Sequence, residues 1–296
     1  MITMPDLRTS LLDLLHELSG TDVKLIIGGG FGIFLKVDHI QKLGTSTLLK
    51  KWPEARSTND IDLFLRPELL IHSTKLKPLS QALKKLGYKA IPGAENYQFV
   101  RPVSAENDAR GIKIDILTGP QSSFKNTTVK ADNRRARPNP SIGLHAHPVD
   151  EVPTLEQGLL SVPVNGALTG GVAWTGEVYV PHPFSFLMMK LFAFSDRLED
   201  PTKDFGRYHA LDLYTITATI TKKEWDESLQ FHAEYHKNSY VKDAADLVEK
   251  YFSDIDKMGM IRIRESQYYQ EALNVQGFIS ALKELFAPRI KDLSTK

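Results

Sequence analysis

Three short runs carry residues whose types and spacing suit phosphate chemistry. They are Gly28-Gly29-Gly30, the run Arg56-Ser57-Thr58-Asn59-Asp60-Ile61-Asp62-Leu63-Phe64-Leu65, and Lys113-Ile114-Asp115-Ile116-Leu117. In an extended strand, residues i and i+2 share a face. Asp60 and Asp62 would therefore project together while Ile61, Leu63 and Leu65 turn toward a core. Two carboxylates held that close repel unless a cation sits between them. Mg²⁺ suits such a pair, because it takes hard oxygen ligands and shares its shell with substrate phosphates; Mn²⁺ is the alternative ion. Asp115 lies between Ile114 and Ile116, an odd place for an acid, since buried acids are rarely unpaired. If its strand neighbours the first, Asp60, Asp62 and Asp115 form a three-carboxylate metal site able to clamp an in-line displacement. The glycines let backbone N–H groups approach a phosphate closely, and a following helix N-terminus adds partial positive charge. The run is neither a Walker loop nor a dinucleotide fingerprint, because its spacing fits neither.

The surrounding pattern supplies elements to hold these runs. Leu7, Leu11, Leu12, Leu14, Leu15 and Leu18 recur at helical spacing, with Gly20 as a stop. Residues 23–27 read as a strand entering the glycines, and Phe31, Ile33, Phe34 and Leu35 as a helix leaving them. Residues 44–56 look like a polar insertion. Asp60 to Leu65 alternate as a strand, and Pro67 opens a helix ending near Gly87. Strands are expected at 88–92, 97–103 and 111–118, a long loop at 119–150, and a short strand near 177–181. Helices follow at about 184–198, 203–220, 222–236, 239–252 and 262–287. The reading is an α/β (α+β) chain: a mixed sheet with flanking helices over residues 1–182, then a helical domain over 183–296.

The ordered set of strand, glycines, helix, Asp-x-Asp and later Asp resembles the nucleotidyltransferase (polymerase-beta-like) superfamily. Within it, the run RSTNDIDLFL is similar to the AbiEii toxin-like nucleotidyltransferases, which include the MenT toxins. The likeness extends into the helical half, through Lys190 and Arg197, then Lys203-Asp204-Phe205 and Asp212-Leu213-Tyr214. It implies transfer of a nucleoside monophosphate from a nucleoside triphosphate to an acceptor, with pyrophosphate leaving. The implied acceptor is tRNA or another RNA, and a cognate antitoxin protein is an implied partner. The implied catalytic residues are Asp60, Asp62, Asp115, Lys190 and Asp212. The implied nucleotide contacts are Gly28, Gly29, Gly30, Arg56, Thr58, Lys203 and Asp204. Asp204 and Asp212, eight residues apart, are expected on one helical face, and the active cleft is expected between the two halves. Gly30 stands where the superfamily has Ser or Thr, and the gap from Gly29 to Asp60 is longer than usual. A non-catalytic nucleotide- or partner-binding relative and a small-molecule nucleotidyltransferase of the antibiotic-modifying type are the rival readings.

Other features point elsewhere. Arg134, Arg135 and Arg137 read as a solvated loop that could meet RNA phosphates. His145 and His147 read as loop residues, and Trp174, Tyr179 and Phe184 as packing. The chain of 296 residues is 42% hydrophobic and 25% charged, with a formal net charge of +1. No global field therefore draws it to nucleic acid or to an anionic membrane, and any such site must be a local patch. Without cysteine, disulfides and thiolate metal sites are excluded. The opening MITMPDLRTSLLDLLHELSG lacks a signal-peptide pattern, and no apolar run is long enough to span a bilayer. A cytoplasmic protein is expected.

Overall fold

The computed structural model describes residues 2–54, 58–102 and 111–287. It is mixed α/β, and the chain divides into two compact units. Residues 1–39, 57–150 and 155–181 form the first, and residues 40–56, 151–154 and 182–296 the second. The segments 40–56 and 151–154, expected with the sheet, group with the helices.

In the first unit, α1 (Met4–Glu17) starts from a capping box in which Thr3 and Asp6 each bond the other's backbone. Its leucine stripe is buried. β1 (Ile26–Ile27) leads directly into α2 (Gly29–Leu43), and β2 (Asp60–Leu65) follows. The helix expected to run from Pro67 toward Gly87 is three pieces: α3 (Pro67–Ile71), a 3₁₀ turn at Ser73–Leu76 and α4 (Lys77–Lys85). Pro78 in the first turn of α4 explains the break, since proline has no N–H to continue a preceding helix. Then come β3 (Lys89–Ala90), β4 (Gln98–Pro102) and β5 (Gly111–Thr118). The expected long loop carries β6 (Lys130–Ala131), β7 (Ala136–Arg137) and β8 (His147–Pro148). β9 (Leu160–Ala167) and β10 (Ala173–Val180) close the unit as a hairpin.

The main sheet runs β3-β4-β5-β2-β1-β10-β9, with β8 also pairing β5; β6 and β7 pair apart. β2 and β5 are parallel, with Ile61 opposite Ile114 and Asp62 opposite Asp115. Cross-strand partners share a face. One face of this central pair is therefore apolar, with Ile61, Leu63, Leu65, Ile112, Ile114 and Ile116 all buried. Asp60, Asp62, Lys113 and Asp115 lie on the other. On the hairpin, Val162, Val164, Val178 and Val180 are buried. Gly166 and Gly176 admit Leu12 and Leu15 of α1 where a Cβ would collide.

The second unit is helical: α5 (Pro183–Arg197), α6 (Arg207–Ala218), α7 (Lys222–Tyr235), α8 (Ser239–Phe252), α9 (Met258–Arg264) and α10 (Val275–Phe286). Its core is aromatic, with Phe184 stacked on Phe286, and Phe252 packed between Phe194 and Phe278. The helix expected over 262–287 is two helices, because Asn274 caps a new start by accepting from the Gly277 N–H. Leu48 and Leu49 donate backbone N–H groups to the carbonyls of Ile220 and Ala218, which ties the 40–56 segment to the end of α6.

Candidate functional site

The glycine run does two jobs at the junction of β1 and α2. The Gly28 N–H donates to the Asp62 carbonyl at 2.8 Å, which extends the β1–β2 ladder by one residue. A Cβ on Gly28 would strike the Phe64 ring. Gly29 has φ +59°, and a Cβ there would lie 1.6 Å from Asp62 Oδ2. Left-handed backbone and the adjoining carboxylate each demand glycine at this point. The first helical bond runs from the Gly32 N–H to the Gly28 carbonyl at 2.7 Å. The N–H groups of Gly29, Gly30 and Phe31 thus precede any intrahelical acceptor. A donor-rich turn and the Asp62 carboxylate occupy the same few ångströms.

Register sets the remaining neighbours. Asp60 lies opposite Lys113, Asp62 opposite Asp115, and Asp115 opposite Gln98 on its other side. Burial, followed by the negative charges of Asp62 and Asp60, pushes the Asp115 carboxyl up to about 7. Lys113 and a hydrogen bond with the Gln98 side chain pull the other way. Asp115 Oδ1 is buried and has no hydrogen-bond partner among the described residues. Such a concentration of negative potential favours a cation or a retained proton. Among the described residues, no group of three or more His, Asp or Glu side chains that could hold a metal ion is present. The three aspartates share a face, but the expected three-carboxylate cage is not assembled. What fits the donor set is an ion held by one or two carboxylates, with substrate oxygens completing its shell.

Of the other expected residues of this unit, Thr58 Oγ1 accepts from the Asp60 N–H at 3.4 Å, at the entry to β2. Arg56 lies outside the described residues. Lys113, in the third run, and Gln98 join the site through the strand register. Lys113 carries a signal, since it stands two residues before Asp115 and must share its face; Gln98 carries none without the β4 register.

In the second unit, Lys190 Nζ and Asp212 Oδ2 form an ion pair at 2.7 Å, and both residues are 5% exposed. They come from α5 and α6, in which Leu187, Leu191, Phe194, Leu211 and Leu213 are buried alongside them. Lys203 and Asp204 are not on the helix of Asp212 as expected. Asp204 (φ 55°), Phe205 (φ 50°) and Gly206 (φ 73°) are left-handed, so α6 begins only at Arg207. Lys203 is exposed. Asp204 instead accepts from Arg207 at 2.8 Å, and Arg207 and Arg262 flank the Phe205 ring. Arg197 is bound locally, donating to the Ala193 carbonyl.

In the expected long loop, Arg137 pairs with Asp132, and Arg135 lies over the Tyr97 ring at 4.8 Å. His147 Nδ1 bonds the Arg134 carbonyl, while burial lowers the affinity of His145 for a proton. Among the described residues, no helix is long and apolar enough to cross a membrane. The sequence matches no protein-family model and no curated protein.

Proposed function

We propose that this chain is a metal-dependent nucleotidyltransferase, moving a nucleoside monophosphate from a nucleoside triphosphate to an acceptor hydroxyl or phosphate. The observation that carries the proposal is the contact between Gly29 and the Asp62 carboxylate. It sets the N–H-rich start of α2 directly beside the acidic face of β2 and β5. Phosphates need donors and charge neutralisation together, and this junction offers both.

Asp60 and Asp62 would hold a divalent cation, Mg²⁺ or Mn²⁺, which when bound supplies neutralisation of the triphosphate's charge. The backbone N–H groups of Gly29 and Gly30 orient phosphate oxygens. Asp115, whose carboxyl burial and the neighbouring aspartates push up to about 7, takes the proton from the attacking acceptor through its unsatisfied Oδ1. Gln98 holds the Asp115 carboxyl, and Lys113 offsets the charge beside Asp60. Catalysis here rests on positioning and electrostatics, with no covalent step on the protein.

RNA, with tRNA foremost, is the acceptor class that the sequence resemblance favours, and the same resemblance suggests an antitoxin as partner. Gly30 in place of a hydroxyl residue favours the rival, a relative that binds nucleotide without turning it over. Incubation with each α-labelled triphosphate, Mg²⁺ and total cellular RNA separates the two. Label on RNA supports the transferase. Saturable nucleotide binding with no labelled product, on RNA or on small acceptors, sinks it.

A further inference from the structure

A polar cavity opens in the first unit, at the opposite end of β2 from Asp60. It has a volume of about 220 Å³ and is lined by Asp22, Lys24, Arg66, Glu68, Leu69 and Lys75. Its position follows from strand register. β1 pairs antiparallel with β2, with Ile26 opposite Phe64. The same register carried two residues further sets Lys24 opposite Arg66, just beyond the strand ends. At about 3.3 Å per residue, six residues of β2 put this cavity roughly 20 Å from Asp60.

The lining charges are unevenly matched. Lys75 is engaged by Glu68 at 2.7 Å, and Asp22 adds to the field that holds its charge. Lys24 and Arg66 are served less well. Lys24 lies over the Tyr179 ring at 5.7 Å and meets no carboxylate in an ion pair among the described residues. The nearest acid to Arg66 is Glu156, whose Oε1 stands 3.7 Å from Nε, too far for a hydrogen bond. Arg66 Nε is buried and has no hydrogen-bond partner among the described residues. Burial raises the Glu156 carboxyl's affinity for a proton, and the charge of Arg66 pulls it the other way. A planar guanidinium without a hydrogen-bonded acid, facing an ammonium across a cavity, presents donors from two directions. A tetrahedral oxyanion can use both, whereas a carboxylate is satisfied by the guanidinium fork alone.

We propose that Arg66 and Lys24 form an anion site for a phosphate group, separate from the Asp60–Asp62 site and independent of any transfer reaction. The shared chemistry is a phosphate oxyanion, supplied either by a small free phosphate or by the backbone of a nucleic acid.

The test follows the Arg66 Nε–H resonance in the full chain labelled with ¹⁵N, assigned by its loss in Arg66→Gln. Inorganic phosphate, pyrophosphate and a short RNA lacking terminal phosphates are titrated separately, each against sodium chloride of matched ionic strength. We expect a saturable movement of that resonance with phosphate and none with chloride. Lys24→Gln, a change at an exposed side chain, should weaken the response about tenfold, as loss of one charge-assisted partner does. Saturation by RNA at far lower concentration than by phosphate would assign the site to a nucleic-acid backbone. Saturation by the small anions alone would assign it to a free phosphate. An Nε–H that moves with none of them, moves equally with chloride, or responds unchanged in Lys24→Gln overturns the proposal. None of these readings depends on nucleotide transfer, so failure here leaves the transferase proposal standing, and the reverse also holds.

Discussion

Replacing Asp115 with asparagine removes one charge from the acidic face while keeping the side chain's volume and its capacity to bond Gln98. The wild-type carboxyl is pushed from the ordinary 3.8 to about 7, first by burial and then by Asp62 and Asp60. Each pK unit is worth about 1.4 kcal/mol, so the displacement corresponds to about 4 kcal/mol in a dry site. Asp115 is only partly buried, and solvent screening reduces this to about 2 kcal/mol. The sign follows from proton counting. Below about pH 4 the carboxyl is protonated in both folded and unfolded chains and contributes nothing. Between about 4 and 7 the unfolded chain releases the proton while the folded chain keeps it, so stability falls as pH rises. Above about 7 the folded group is also ionised and the penalty is constant. Urea unfolding of both proteins across this range, with chelator present, measures the difference. Asp115→Asn should match wild type near about pH 4 and exceed it by about 2 kcal/mol near about pH 8. A difference that stays flat with pH, or a mutant less stable at the alkaline end, would refute the account of a charge-crowded face.

Other outcomes follow from the same geometry. Asp62→Asn should retain the fold by circular dichroism and lower the Asp115 pKa seen by NMR, while transfer of labelled nucleotide drops by orders of magnitude; wild-type transfer would mean the ion is held elsewhere. Gly29→Ala must adopt a left-handed φ and displace the Asp62 carboxylate, so we expect a loss of about 1–3 kcal/mol in urea melts together with loss of the proposed transfer; an unaffected protein would contradict the close approach. Lys190→Met removes the ion-pair partner 2.7 Å from the buried Asp212 carboxylate and should cost about 3–5 kcal/mol, whereas Lys190→Met combined with Asp212→Leu should recover most of it. Equal losses in the single and double variants would show that the pair does not act as a unit.

The parts of this chain readable from sequence were those with a strong local period. The leucine stripe of α1, the alternation of Asp60 to Leu65 and that of Gly111 to Thr118 each reflect one buried face. That face repeats at a spacing the residue order displays. The face shared by Asp62 and Asp115 could be inferred only conditionally, because adjacency of β2 and β5 is a long-range fact that neither strand encodes alone. The β9–β10 hairpin was legible only at its last residues. Its outer positions, such as Ser161, Asn165, Thr175 and Glu177, are polar, and Gly166 and Gly176 replace the side chains that would have marked its inner face. The left-handed run at Asp204 and Phe205 was invisible for the opposite reason. Asp tolerates that conformation but Phe does not favour it, and it is held by Arg207, Arg262 and Glu265 around it. A contiguous Lys203–Asp212 helix was therefore the natural expectation and the wrong one.

The pairing order of the central strands carries a consequence for how the chain matures. β1 contributes only two residues to the sheet, yet it sits between β2 and β10, with Ile26 matched to Phe64 on one side and Tyr179 on the other. Asp62 meets Asp115 only after a parallel pairing between strands far apart in the chain. Contacts of that kind close late, because the loop entropy must be overcome before they contribute. A one-residue slip of β2 would also turn Asp60 and Asp62 into the apolar layer, so misregistered intermediates are strongly disfavoured. A ribosome-bound chain that has emerged only as far as residue 100 has its glycine turn and β2 but lacks β5 and β10, which flank the β1–β2 pair. The acidic face is then incomplete, and Asp115 joins it only once β5 has been synthesised and paired.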